Sequence, residues 1–226
     1  MTLRATTTGS NPFDQPAYVK RCQAISKVLL SALESHFPWD SIKTVVDLGC
    51  GSGAVGSRFV ELGKSVLFVE GRGEHVVALQ SKGVHALLHD AQVLLQAKSD
   101  LVLCLGLLYH SEDPQKILDN CAAIAPVIVV ETLCMDETDR YFVSFEEDTG
   151  RSDQSLDGGC CRFSPSWLER ALRRAGYERI IDLSKEMEAI PGDGFHLGFM
   201  YNWELRDSGN SYRDGYGLRK LWVAWK

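Results

Sequence analysis

The chain has 226 residues, enough for one domain of a size class that buries roughly 70% of its unfolded surface. Its 45% hydrophobic and 24% charged content excludes bulk disorder. With 24 Lys and Arg against 30 Asp and Glu, the formal charge of -6 disfavours a broad cationic face for nucleic acid. The longest apolar run, Leu101 to Tyr109, falls short of the ~20 residues that a bilayer span needs, so no membrane partner is expected. The first residues carry no apolar stretch of the signal-peptide kind, and the expected location is the cytoplasm. Seven cysteines without a Cys-x-x-Cys pair predict reduced thiols and no metal site, with the adjacent Cys160 and Cys161 as two thiols beside a helix start.

Residues 1–15, rich in Thr, Gly and Ser, read as a flexible arm. Tyr18, Cys22, Ile25, Leu29, Leu33 and Phe37 then recur at three- and four-residue steps, which predicts an amphipathic helix over 16–37. The β-branched run Thr44 to Leu48 predicts a strand, followed by a helix with Val55, Phe59 and Leu62 inward. The alternation continues with a strand over 65–70, a helix over 74–82 and a strand over 84–89. A short helix over 92–97 and an apolar strand over 101–108 follow. Asp113-Pro114 supplies a cap and first position for a helix, and Val127 to Leu133 is another apolar strand. Ser164-Pro165 opens a further helix, and Leu221 to Trp225 closes the chain as an alternating strand. Strands apolar throughout and alternating with helices predict a parallel sheet covered on both faces, in a single domain spanning 1–226. Residues 184–218 break this rhythm with six glycines among many aromatics and read as an acceptor-site insertion.

Between the first strand and the next helix lies Asp47-Leu48-Gly49-Cys50-Gly51-Ser52-Gly53. Glycines there permit a sharp turn and close approach of a ligand to the main chain, beside a helix N-terminus. Gly51-x-Gly53-x-x-Gly56, with Glu70 near the position of a ribose-binding acid, also satisfies the dinucleotide pattern, so an NAD-dependent oxidoreductase is one reading. Three features favour S-adenosylmethionine (SAM) instead. Asp47 precedes the first glycine by two residues, where a carboxylate suits an ammonium and would repel a pyrophosphate. His89-Asp90-Ala91 offers a carboxylate for an adenine amino group. A terminal strand follows a long connection, and a long helix precedes the first strand.

Val45 to Gly53, Glu70, Asp90 and Leu105-Gly106-Leu107-Leu108-Tyr109-His110 together resemble the class I SAM-dependent methyltransferases, over roughly residues 42–183 and the final strand. The resemblance implies a seven-stranded Rossmann-like α/β sheet, mostly parallel with an antiparallel last strand. It implies that Gly49, Gly51 and Gly53 shape a methionine pocket, that Glu70 binds ribose hydroxyls, and that Asp90 with Ala91 frames the adenine. Asp47, Cys50, Gly71, Leu105 and Tyr109 complete the expected cofactor residues. Leu105 to Leu133 also resembles locally the enzymes that carboxymethylate wobble uridine in tRNA with a carboxylated SAM; an acidic chain fits a nucleic-acid acceptor less well.

Methyl transfer to a hydroxyl needs its proton removed, and an unperturbed imidazole suits that task. His110, after the fourth strand at the carboxyl edge where open α/β folds bind ligands, is the candidate base. Glu131, at the matching place on the fifth strand, is the candidate for orienting a substrate polar group. Tyr109, Tyr201, Trp203, His196, Asn202 and Arg206 are the expected acceptor contacts, and Arg140, Tyr141 and Arg162 could take an anionic acceptor group. His36, His75 and His85 read as structural or solvated. The expectation is O-methylation of a small-molecule acceptor, with tRNA modification and a methyltransferase-like, non-catalytic partner subunit as alternatives. The oligomeric state is not legible.

Overall fold

The structure is a computed structural model that describes residue 13 and residues 15–136, 142–188, 201 and 218–226. Five parallel strands form its centre: β1 Thr44–Leu48, β2 Ser65–Glu70, β3 Ala86–Leu88, β4 Leu101–Leu105 and β5 Val127–Cys134. Two more strands, β8 Arg179–Asp182 and β9 Leu218–Trp225, complete a seven-stranded sheet of order β3-β2-β1-β4-β5-β9-β8. β9 runs antiparallel to both neighbours. This is the sheet that the sequence resemblance implied. β4 and β5 read as unbroken apolar runs because helices cover both of their faces.

On one face lie α1 Pro16–His36, α2 Ala54–Glu61, α3 Gly73–Ser81 and the short α6 Ser184–Glu188, sharing a core built on Leu29, Leu33, Phe59 and Phe68. On the other face lie α4 Pro114–Ile124 and α5 Pro165–Arg174, packed through Leu118, Cys121, Phe163, Leu168 and Leu172. The caps read from sequence form as expected. The Asp113 side chain accepts from the Lys116 N–H, and Ser164 accepts from the Trp167 N–H. All seven cysteines are free and buried. No described helix is long and apolar enough to cross a membrane, and no group of metal-ligating side chains forms among the described residues.

Three local expectations are corrected. Residues 92–97 form turns and extended chain rather than a helix. The Asp90 carboxylate captures the Gln92 N–H, His89 engages the Val93 carbonyl, and Leu95 is the only one of Val93, Leu94 and Leu95 that is buried. The fourth strand stops at Leu105 instead of Leu108, because Gly106 turns the chain with φ +69° and a short 3-10 turn follows over Leu108–His110. Leu62 lies at the end of α2 and faces solvent. The sequence reading also passed over a hairpin between β5 and α5, formed by β6 Phe142–Glu146 and β7 Gly159–Phe163.

Candidate functional site

The turn after β1 places Gly49, Gly51 and Gly53 at φ of 68°, 54° and 71°, a left-handed region that side chains disfavour. Glu70, the last residue of β2, fixes this turn. Its carboxylate accepts the Gly51 N–H at 2.8 Å and the Arg72 N–H at 3.0 Å. Burial pushes the Glu70 carboxyl up, but His75 and those two N–H groups outweigh it and hold it below the usual range. Asp47 lies deeper and accepts the Gly56 N–H at 3.1 Å. Burial dominates there; despite the Gly56 N–H, and with the Glu70 charge adding to it, the carboxyl is pushed up to about 7. Gly56 is required by space: an added Cβ would stand 2.4 Å from Asp47 Oδ2 and 2.7 Å from Phe68 Cε1.

A cavity of about 630 Å³ opens at the carboxyl ends of the parallel strands. It brings together Gly49, Gly51, Glu70, Gly71, Asp90, Ala91, Leu105, Tyr109 and His110 from the sequence expectations. Asp47, Cys50 and Glu131 line a small adjoining recess that shares Tyr18, Arg21, Gly49 and Leu105 with the cavity. Gly53 lines neither; a Cβ added there would stand 2.9 Å from both Leu79 Cδ2 and Phe68 Cε1. Arg140, Tyr141, His196, Asn202, Trp203 and Arg206 lie outside the described residues.

His110 stands at the end of the 3-10 turn, and its Nδ1 is 2.6 Å from Glu147 Oε2. Glu147 follows β6 and also accepts the Ser155 N–H at 2.8 Å. Burial raises the Glu147 carboxyl, yet His110, the Ser155 N–H and Arg162 hold it below the ordinary carboxylate range. Pairing through Nδ1 leaves Nε2 as the ring atom open to take a proton. Glu131 is buried: Arg219 Nη1 lies 2.9 and 3.0 Å from its two oxygens and Tyr201 Oη donates at 2.8 Å. Burial pushes that carboxyl up, and Arg219 and Arg21 more than reverse it. Arg219 Nη2 donates to Tyr109 Oη at 3.2 Å. Tyr201 is itself buried beneath Glu131 and does not line the cavity.

Several cavity residues were missed from sequence. Tyr18 and Arg21 face it from α1, with the guanidinium 5.2 Å from the tyrosine ring. His75, read as structural or solvated, lines the wall with its Nδ1 3.8 Å from Glu70 Oε1 and its ring edge-on to Phe13 at 5.0 Å. The loop after β6 forms the outer wall. Arg72 Nη2 donates to the carbonyls of Thr149, Gln154 and Ser155 at 3.4, 3.1 and 3.1 Å, and Leu156 covers Gly71. A signal for this loop existed only as the acidic run Glu146-Glu147-Asp148, which does not indicate which carboxylate turns inward.

Comparison with known proteins bears on this arrangement. Residues 20–181 match the family model described as a methyltransferase domain. A ubiquinone biosynthesis O-methyltransferase from Idiomarina loihiensis is 30% identical over 122 residues, 49% of this chain and 49% of that protein. The same enzyme from Coxiella burnetii is 27% identical over 115 residues, 47% and 48% of the two chains. The chain therefore spans about half the length of the curated relatives it matches. Among solved structures, the N-terminal domain of EvdMO1, crystallised with S-adenosylhomocysteine (SAH) and D-fucose, superposes with a TM-score of 0.59 at 23% identity, covering 75% of this chain and 77% of that one. Magnesium protoporphyrin IX methyltransferase from Synechocystis with bound SAM gives 0.56 at 14% identity, covering 92% and 80%.

Proposed function

The chain belongs to the methyltransferase domain family, on the class I fold of SAM-dependent methyltransferases, and from that premise we propose that it transfers a methyl group from SAM to a hydroxyl of a small-molecule acceptor. The observation that carries this reading is one cavity joining two kinds of wall. The glycine turn, Glu70 and Asp90 stand on one side, and the His110–Glu147 pair stands on the other.

The residues present suit SAM. Glu70 ends its strand at the cavity with a carboxylate fit for a ribose diol, and Asp90 follows β3 with one fit for an adenine amino group. Arg21 Nε is buried without a hydrogen bond among the described residues, in the recess lined by Gly49 and Asp47, as a carboxylate-binding guanidinium facing a methionine tail would be. Asp47 in the same recess suits the ammonium of that tail. Bound there, SAM supplies an electrophilic methyl on a sulfonium. The chain's own part is to hold the acceptor in line and to remove its proton at His110 Nε2, with Glu147 fixing the tautomer and stabilising the imidazolium. The loop after β6 walls the cavity beside the pair. Small-molecule O-methylation is supported by the similarity to ubiquinone biosynthesis O-methyltransferases. The domain is read as spanning the whole chain, with 184–218 on the acceptor side.

Calorimetric titration with SAH, run beside NAD, tests the reading. SAH alone should bind, and Glu70→Ala should weaken it about tenfold or more, since hydrogen bonds to a charged group are worth about 1.5–3 kcal/mol. Binding of NAD instead, or an unchanged SAH affinity in the variant, would overturn the cofactor assignment.

A further inference from the structure

Arg162 lines the cavity, where its charge acts on Glu147 only from beyond salt-bridge range. It sits in β7 opposite Val143, with its guanidinium 5.1 Å from the centroid of Tyr109 and 6.0 Å from that of Phe145. Its Nη1 donates to its neighbour's carbonyl, Cys161 O, at 2.7 Å, and among the described residues it forms no salt bridge with any carboxylate. The other charges here are already matched. Arg219 is neutralised by Glu131, and Glu147 is taken by His110 and the Ser155 N–H. The acceptor side therefore holds a guanidinium with no directly paired carboxylate among the described residues, flanked by two aromatic rings. A planar fork of N–H donors in that setting is matched by a carboxylate.

The second observation is distance. The His110 ring lies 4.2 Å from the Tyr109 ring, centroid to centroid, and Arg162 lies 5.1 Å from the same ring. Base and cation thus flank one tyrosine, within the reach of a single small molecule. We infer that the acceptor is a hydroxy acid whose carboxylate is held by Arg162 while its hydroxyl faces His110. Arg162 is then a specificity-determining residue. This inference rests on the methyltransferase reading and narrows its substrate class.

The test uses the full chain saturated with SAH, titrated with 3,4-dihydroxybenzoate, with the corresponding primary amide and with phenyl phosphate. The acid should bind about tenfold tighter than the amide, a preference erased in Arg162→Met and partly kept in Arg162→Lys. SAH should bind all three proteins alike, which shows that the variants are folded. Absence of acid binding, equal affinity for acid and amide, or a preference that survives Arg162→Met would overturn the inference. Tighter binding of phenyl phosphate than of the acid would overturn the carboxylate assignment. Failure of SAH to bind the native protein would instead remove the methyltransferase reading, and this inference with it.

Discussion

Replacing Arg219 by Met probes the buried ion pair that ties β5 to β9 behind the site. Glu131 is registered opposite Leu221 and Arg219 opposite Leu133, so the two side chains meet diagonally across the antiparallel ladder. Their side chains are 1% and 8% exposed. The substitution strips Glu131 of its paired counter-charge and leaves, among the described residues, the Tyr201 hydroxyl and the more distant Arg21 charge on a buried carboxylate. Losing one partner of a buried pair costs about 3–5 kcal/mol. For a chain of this length that is a fall in Tm of roughly 6–20 °C. Urea unfolding near neutral pH reads the loss, and the double variant Glu131→Gln, Arg219→Met should recover most of it because no orphaned charge remains. The pH dependence has a fixed sign. The native Glu131 carboxyl is held low, so its contribution is present above the ordinary carboxylate range and fades as pH falls through the lowered value. In Arg219→Met the unpaired carboxylate protonates more readily, so the gap between the two proteins narrows in acid. A loss under about 1 kcal/mol, or a double variant no better than the single one, would refute the reasoning.

Asp47 has the opposite sign. With its carboxyl raised to about 7 from 3.8, the folded state holds the proton more tightly, and stability should fall as pH rises between those values. Asp47→Asn should flatten that slope; an unchanged slope contradicts it. If Asp47 meets the cofactor ammonium, SAH binding just below neutral pH should expel its proton. Calorimetry in two buffers of different ionisation enthalpy reads this, and the variant should abolish it. Gly56→Ala forces a methyl between Asp47 and Phe68 and should cost about 1–3 kcal/mol by overpacking, visible as a lowered Tm. His110→Ala should lower kcat by about 10²–10⁴ at constant SAH affinity. Glu147→Gln, which leaves His110 Nδ1 without its carboxylate partner, should lower kcat at unchanged SAH affinity; an unchanged kcat would separate Glu147 from the chemistry.

What the sequence revealed was what neighbouring residues determine. The β-branched strands, the Asp113 and Ser164 caps and the glycine turn each depend on a few adjacent positions, and Glu70 meets Gly51 only 19 residues away, across one strand–helix–strand unit. The misreadings at 92–97 and Leu105–Leu108 arose where local side-chain bonds or one left-handed glycine outweighed apolar spacing. The remainder of the site is long-range. Glu147 reaches His110 across 37 residues, Arg72 reaches Ser155 across 83, and Arg219 reaches Tyr109 across 110. No spacing rule links such pairs, since the sheet order and the hairpin set their distance.

That hairpin loop has a kinetic consequence. One short segment both closes the cavity through Arg72 and carries the carboxylate that orients the base. Under the proposed base role, any displacement of this loop would part Glu147 from His110 and uncover Gly71 together. Arg72→Ala, which releases the carbonyls of Thr149, Gln154 and Ser155, should then change ligand exchange and turnover together.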